Sequence, residues 1–289
     1  MLGILFALGA LFCWAFGDFY IQRTSRKIGI WKSLFFIALI GTLGIYPFIA
    51  DDLVATLSNP GQLIIMTLAG VVMFFAALFD FEALKQGKFA IIEPILGIEL
   101  PLTVALSIVL WGEKLSLQQV FLIGMVFVGL ILAVTINHKH LRYHKRILEK
   151  GVILAGLGAI GMGLTNFLAG VASQKVSPLM AYWFISLEIM IFCLIYILAT
   201  KQLGTLIPDF KKHTSLILGE GILDNLAWIF FMSAVMYIPI SIATTISESY
   251  IALAVFLGLV INKEKLKKHQ KLGVVLTVIG VIILAAITP

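Results

Sequence analysis

Ten runs of about twenty mainly apolar residues fill almost the whole chain: 2–22, 30–50, 62–85, 88–110, 116–136, 151–173, 178–200, 214–237, 239–261 and 270–287. A run of that length crosses the hydrocarbon core of a bilayer as a helix, because lipid cannot partner a bare N–H or C=O and the segment must pair its own. The expected fold class is therefore an all-α integral membrane protein of ten transmembrane helices. Composition agrees, with 61% of the 289 residues hydrophobic and only 12% charged, against about 25% charged in soluble domains. The first run has no basic stretch ahead of it and no small-residue cleavage site, so it is expected to be a retained helix and not a signal peptide. The longest connection, 137–150, is too short to fold alone. No G-x-x-x-x-G-K-[ST] loop is present to support a built-in ATPase.

The net charge of +6 does not point to nucleic acid, because all 21 Lys and Arg fall in loops or at helix ends, where membrane proteins keep their anchors. Nineteen of them follow odd-numbered helices, leaving Lys114 and Lys175 for the opposite side. The positive-inside rule then predicts a cell-membrane protein with both termini outside the cytoplasm. Cys13 and Cys193 lie within apolar runs and read as small core residues.

The chain also resembles itself. A shift of 151 places EKLSLQQ (113–119) on EKLKKHQ (264–270) and Gly129 on Gly280, and a shift of 148 places SRKIG (25–29) on SQKVS (173–177) and Asp18-Phe19 on Asn166-Phe167. Residues 1–136 and 151–289 thus read as two five-helix repeats joined by a basic linker, 137–150. With an odd number of spans per copy, the second copy enters the bilayer the other way up. Inverted repeats of this kind are characteristic of secondary transporters, whose substrates bind near the midplane where the copies meet. Channels and membrane enzymes are duplicated too, which keeps an ion channel or a membrane-embedded enzyme in view as alternatives.

WGEKLSLQQVFLIGMVFVGLILAV (111–134) resembles the helix-4 end, acidic-basic turn and helix 5 of the drug/metabolite transporter superfamily, EamA type, and NKEKLKKHQKLGVVLTVIGVIILA (262–285) repeats it. FCWAFGDFYIQ (12–22) is similar to that family's Trp-Gly-containing first helix, and FDFEALKQGKFAIIEP (79–94) to its passage from the third to the fourth helix. The resemblance implies ten helices in inverted five-helix repeats and carriage of a small metabolite. The surroundings of Asp18 depart from the commonest pattern.

Nine of the 15 acids lie within the apolar runs, whereas bases enter them only at the ends, as Lys32, Lys85, Lys88 and Lys271. An acid at a helix centre costs roughly 2.5–3.5 kcal/mol, and such groups normally face a bundle interior or a wet cavity. Glu99, Glu188, Asp224 and Glu248 sit near the middles of their runs. Glu99 aligns with Tyr250 across the repeat, so the fourth and ninth helices each offer an acid at nearly the same level. Pro94 and Pro101 lack an amide hydrogen and are expected to release the carbonyls of Ala90 and Gly97 toward a cavity. Asp224 and Trp228, four residues apart with Asn225 beside them, form a pair able to hold an amine by charge and cation–π contact. Trp14 and Asp18 repeat that spacing, and Asn166 stands at the related place in the sixth helix. These nine residues, Glu99, Glu248, Asp224, Asn225, Trp228, Asn166, Trp14, Asp18 and Tyr250, are the expected substrate site. Glu93, Asp80 and Glu188 are candidates for coupling, with a salt-bridged helix end near Lys85 as the other reading of Asp80 and Glu82.

Three motifs carry no chemistry. GLGAIG (156–161) lies inside an apolar run with no preceding strand and reads as close helix packing. HKHLRYH (138–144) sits in the basic linker without acidic or thiolate partners and reads as solvated loop. All five His lie outside the apolar runs, so no Ser/His/Asp or Cys/His set can assemble there.

The expectation is a non-enzymatic secondary transporter without cofactor, monomeric or homodimeric, with a central cavity built from helices 1, 3, 4, 6, 8 and 9 and with helices 5 and 10 at the flank. An acidic cavity favours a cationic or zwitterionic metabolite, an amino acid or amine, exchanged for protons by alternating access. A sugar or neutral-solute facilitator of the same fold is the alternative.

Overall fold

A computed structural model describes residues 1–86, 95–134, 145–253 and 267–288, and every regular element in them is helical. The α-helices are α1 (Leu2–Ile28), α2 (Ile30–Ile49), α3 (Leu53–Leu57), α4 (Pro60–Gln86), α5 (Glu99–Trp111), α6 (Leu117–Val134), α7 (Lys145–Lys175), α8 (Pro178–Ala199), α9 (Leu206–Ala234), α10 (Ile240–Ser247) and α11 (Lys268–Ile287). Among the described residues, seven helices are long and apolar enough to cross a membrane: α1, α2, α4, α7, α8, α9 and α11. Three shorter apolar helices, Glu99–Trp111, Leu117–Ala133 and Ile240–Leu253, stand where the other three runs were expected. Residues 88–94, with Glu93 and Pro94, 135–136 and 254–261 of those three runs lie outside the described residues.

Helix ends follow local chemistry. Gly29, with φ 89°, makes the one-residue joint between α1 and α2, a conformation that favours glycine. Ser177 caps α8, its hydroxyl accepting from the Met180 amide at 3.2 Å, with Pro178 next in the first turn. Gly112, φ 72°, ends α5 in the left-handed region, and the amide of Glu113 then reaches back to the Ser107 carbonyl at 3.1 Å.

The helices pair across the two halves: α1 packs on α9, α4 on α7, α2 on α8 and α6 on α11, with α5 against α7 and α10 against α1. Exchanging each helix for its counterpart in the other half turns the α1–α9 pair into α7–α4 and the α5–α7 pair into α10–α1. Lipid tails are as apolar as leucine, so these contacts depend on close approach through small residues. A Cβ on Gly158 would stand 3.2 Å from the backbone nitrogen of Asp80, and one on Gly161 would stand 2.7 Å from the Ala76 Cβ. The GLGAIG stretch is therefore a packing face, and it sets the depth of Asp80. At the flank, Gly129 and Gly273 bring α6 and α11 backbone to backbone.

Candidate functional site

Both short central helices are interrupted at their acids. Residues 97 and 98 form a turn before α5, and residues 248 and 249 form one after α10, 151 positions later in each case. The ladder tightens at both places: the Ile98 amide bonds the Ile95 carbonyl at 3.1 Å, and the Ala252 amide bonds the Ser249 carbonyl at 3.0 Å, an i to i+3 spacing that often marks a hinge. Pro101 occupies the first turn of α5, where its missing amide hydrogen costs little and leaves the Gly97 carbonyl without a partner at that position.

The interruptions open onto a cavity of about 60 Å³. Its wall takes Trp14, Asp18 and Ile21 from α1, Asp80 and Phe81 from α4, Met162 and Asn166 from α7, Asp224 and Trp228 from α9, and Leu96, Glu99, Glu248 and Tyr250 from the interrupted segments. These are the six helices expected, and among the described residues α6 and α11 contribute nothing. Five carboxyl groups line the space, with no Lys, Arg or His among the described lining residues. Tyr250 and Asp18 line the same space. The Asn166 amide donates to Glu248 Oε1 at 3.3 Å. Glu99 and Glu248 both face the cavity, one from each interrupted segment. Asp80 Oδ1 is buried without a hydrogen-bond partner. Trp14 is 7% exposed and meets Trp228 edge-on, ring centroids 5.3 Å apart, so it is a wall of the cavity and not an interfacial anchor.

The other expected residues fall elsewhere. Asn225 points away from the cavity and donates to the Ile37 carbonyl of α2 at 2.9 Å. Glu188 sits between α8 and α4, lying on the bare backbone of Gly70, with its Oε2 buried without a hydrogen-bond partner. Glu82 pairs with Lys85 at 3.6 Å, so the salt-bridge reading suits Glu82 while Asp80 faces the cavity. Glu220, one turn before Asp224 on α9, is fully buried and accepts from Ser33 of α2 at 2.7 Å.

Two features have little or no sequence signal. A second cavity of about 40 Å³ shares Phe81, Met162, Asp224 and Trp228 with the first and continues between α2, α4 and α8. Its apolar wall is indistinguishable in sequence from ordinary core. Glu113 accepts from the backbone amide of Ser241 at 3.1 Å and from the amide of Ile240, and its carboxylate also receives the Ser241 hydroxyl, so one side chain caps α10. Beside it Trp111 donates to Gln174 at 2.8 Å, and Gln174 donates to the Val235 carbonyl at 2.9 Å. The only sequence hint was the recurrence of the EKL triplet.

A multi-pass helical bundle with a charged interior cavity is built as membrane transporters are. The family model described as the EamA-like transporter family matches residues 1–135 and 149–286, and the chain belongs to that family. It is a membrane transporter with a small-molecule substrate, and not an enzyme. The chain is 21% identical over 286 residues to an uncharacterized transporter of Archaeoglobus fulgidus, covering 98% of both chains. It is 29% identical over 138 residues to an uncharacterized protein of Methanocaldococcus jannaschii, a match spanning 48% of this chain and 98% of that one. A crystal structure of a protein at 14% identity shares the fold, with TM-score 0.70 over 98% of this chain and 97% of the other.

Proposed function

We propose that the chain is a secondary transporter that moves a small cationic or zwitterionic metabolite, an amino acid or amine, in exchange for protons by alternating access. The observation that carries this reading is the placing of Glu99 and Glu248, one from each interrupted segment, in a cavity lined by five acids and, among the described residues, no base. An arriving ammonium can take the place of a proton on one of these carboxyl groups. The net charge of the site is then the same in both states, as an exchanger requires. Asp18 and Asp224, each four residues from an indole, supply further charge and cation–π attraction.

Ten helices in two inverted five-helix repeats, 1–136 and 151–289 around the linker 137–150, are part of the same proposal. It is supported by the paired interruptions 151 residues apart, by helix contacts that survive exchange of the halves, and by a relative of about half the length. The Lys and Arg distribution supports a cell-membrane location with both termini outside the cytoplasm.

The test is reconstitution into vesicles and measurement of amine and amino-acid flux against an imposed pH step. Flux rises with the step in the native protein and falls at least about tenfold in Glu99→Gln, Asp224→Asn and Glu248→Gln. Undiminished flux in all three variants overturns the site.

A further inference from the structure

The acidic cavity and its smaller neighbour differ in chemistry. Where the first holds five carboxyl groups, the second is bounded chiefly by Leu34, Ile37, Met73, Ala77 and Ile189, and Asp224 is its one acid, placed at the junction between the two. Its other polar side chains are Tyr182, which is 2% exposed, and Ser186, both on α8. Trp228 forms a wall of both spaces, edge-on to Trp14 on the acidic side and stacked on Tyr182 on the apolar side, centroids 6.3 Å apart. Asp224 and Trp228 line both spaces, so a ligand whose cation lies at Asp224 has apolar surroundings beside it, across the Trp228 ring.

We infer that the second cavity is a subsite for the hydrocarbon end of the substrate, so that the transported species is an ammonium carrying a short alkyl group. Size sets the length. At roughly 10–15 Å³ per water-sized group, about 40 Å³ holds three or four carbons. A free amine and an aliphatic amino acid share this chemistry, and the two are separated by experiment. The inference rests on the amine-or-amino-acid reading above, but the subsite can fail while that reading stands.

The experiment is calorimetric titration of the full-length protein in detergent with the linear amines from ethylamine to hexylamine, and with isopentylamine, leucine and isopentanol. Each methylene that enters the subsite tightens binding by roughly fourfold, so affinity should climb to about butylamine or pentylamine and then level off. Ala77→Leu, which adds carbon atoms to the wall of the second cavity, should weaken isopentylamine at least tenfold and ethylamine far less. Met73→Ala should move the plateau toward hexylamine, a gain that misfolding cannot imitate. Leucine binding as tightly as isopentylamine identifies the amino acid as the source, and leucine binding much more weakly identifies the free amine; both support the subsite. Isopentanol binding as well as isopentylamine, with the same sensitivity to Ala77→Leu, supports the subsite and overturns the cationic head. Affinity flat from ethylamine to hexylamine overturns the subsite and leaves the cationic head standing. No binding by any of these probes overturns both.

Discussion

A carboxyl group inside a membrane protein needs either a partner or water, and the acids of this chain divide along that line. Glu220 is fully buried and outside the cavity, with the Ser33 hydroxyl donating to one oxygen and the other unpartnered. Its bond to Ser33 ties α9 to α2 and plays no part in ligand contact. Ser33→Ala should therefore cost about 1–3 kcal/mol of stability, seen as a drop of a few degrees in thermal unfolding in detergent, with ligand affinity unchanged. A fall in affinity without loss of stability would mean that Glu220 belongs to the transport site. Asp18, Asp80 and Asp224 sit instead on the cavity wall, within reach of water.

Helices place these groups, and glycines place the helices. A Cβ on Gly163 would come within 2.9 Å of the Glu99 carbonyl oxygen, so α7 holds the interrupted segment at its acid by having no side chain there. Thr103 reinforces the contact, its hydroxyl lying 3.0 Å from the Gly163 carbonyl. Gly163→Ala is expected to push α5 away and reduce flux at least about tenfold with helical content intact by circular dichroism. Gly156→Ala, in the same helix with nothing within 4 Å of its Cβ, should transport normally. Equal effects from the two would remove the positioning role. At this scale the sequence was legible where chemistry is periodic: Trp14 with Asp18 and Trp228 with Asp224 announce themselves by a four-residue spacing. Asn225 misleads because one residue along a helix is a turn of about 100°, enough to face α2 in place of the cavity. The interruption ahead of Pro101 was not legible, because an apolar run does not show where its helix restarts. The walls at Ile21, Phe81 and Met162 carry no polarity that could set them apart from core.

On the scale of the whole molecule, orientation is the consequence that can be read from outside. With Cys13 and Cys193 replaced by alanine, a cysteine introduced at Lys114→Cys should react with an impermeant maleimide on intact cells, and one at Lys211→Cys only after permeabilisation. The opposite pattern inverts the topology. The face that carries Lys114 is also the one where Glu113 of the first half grips the first amides of α10 in the second. In the alternating-access cycle proposed above, that side can open only when Glu113 gives up its three donors together with the neighbouring Trp111–Gln174 contact, so the two halves are buttoned to each other there by side chains and not by apolar packing alone.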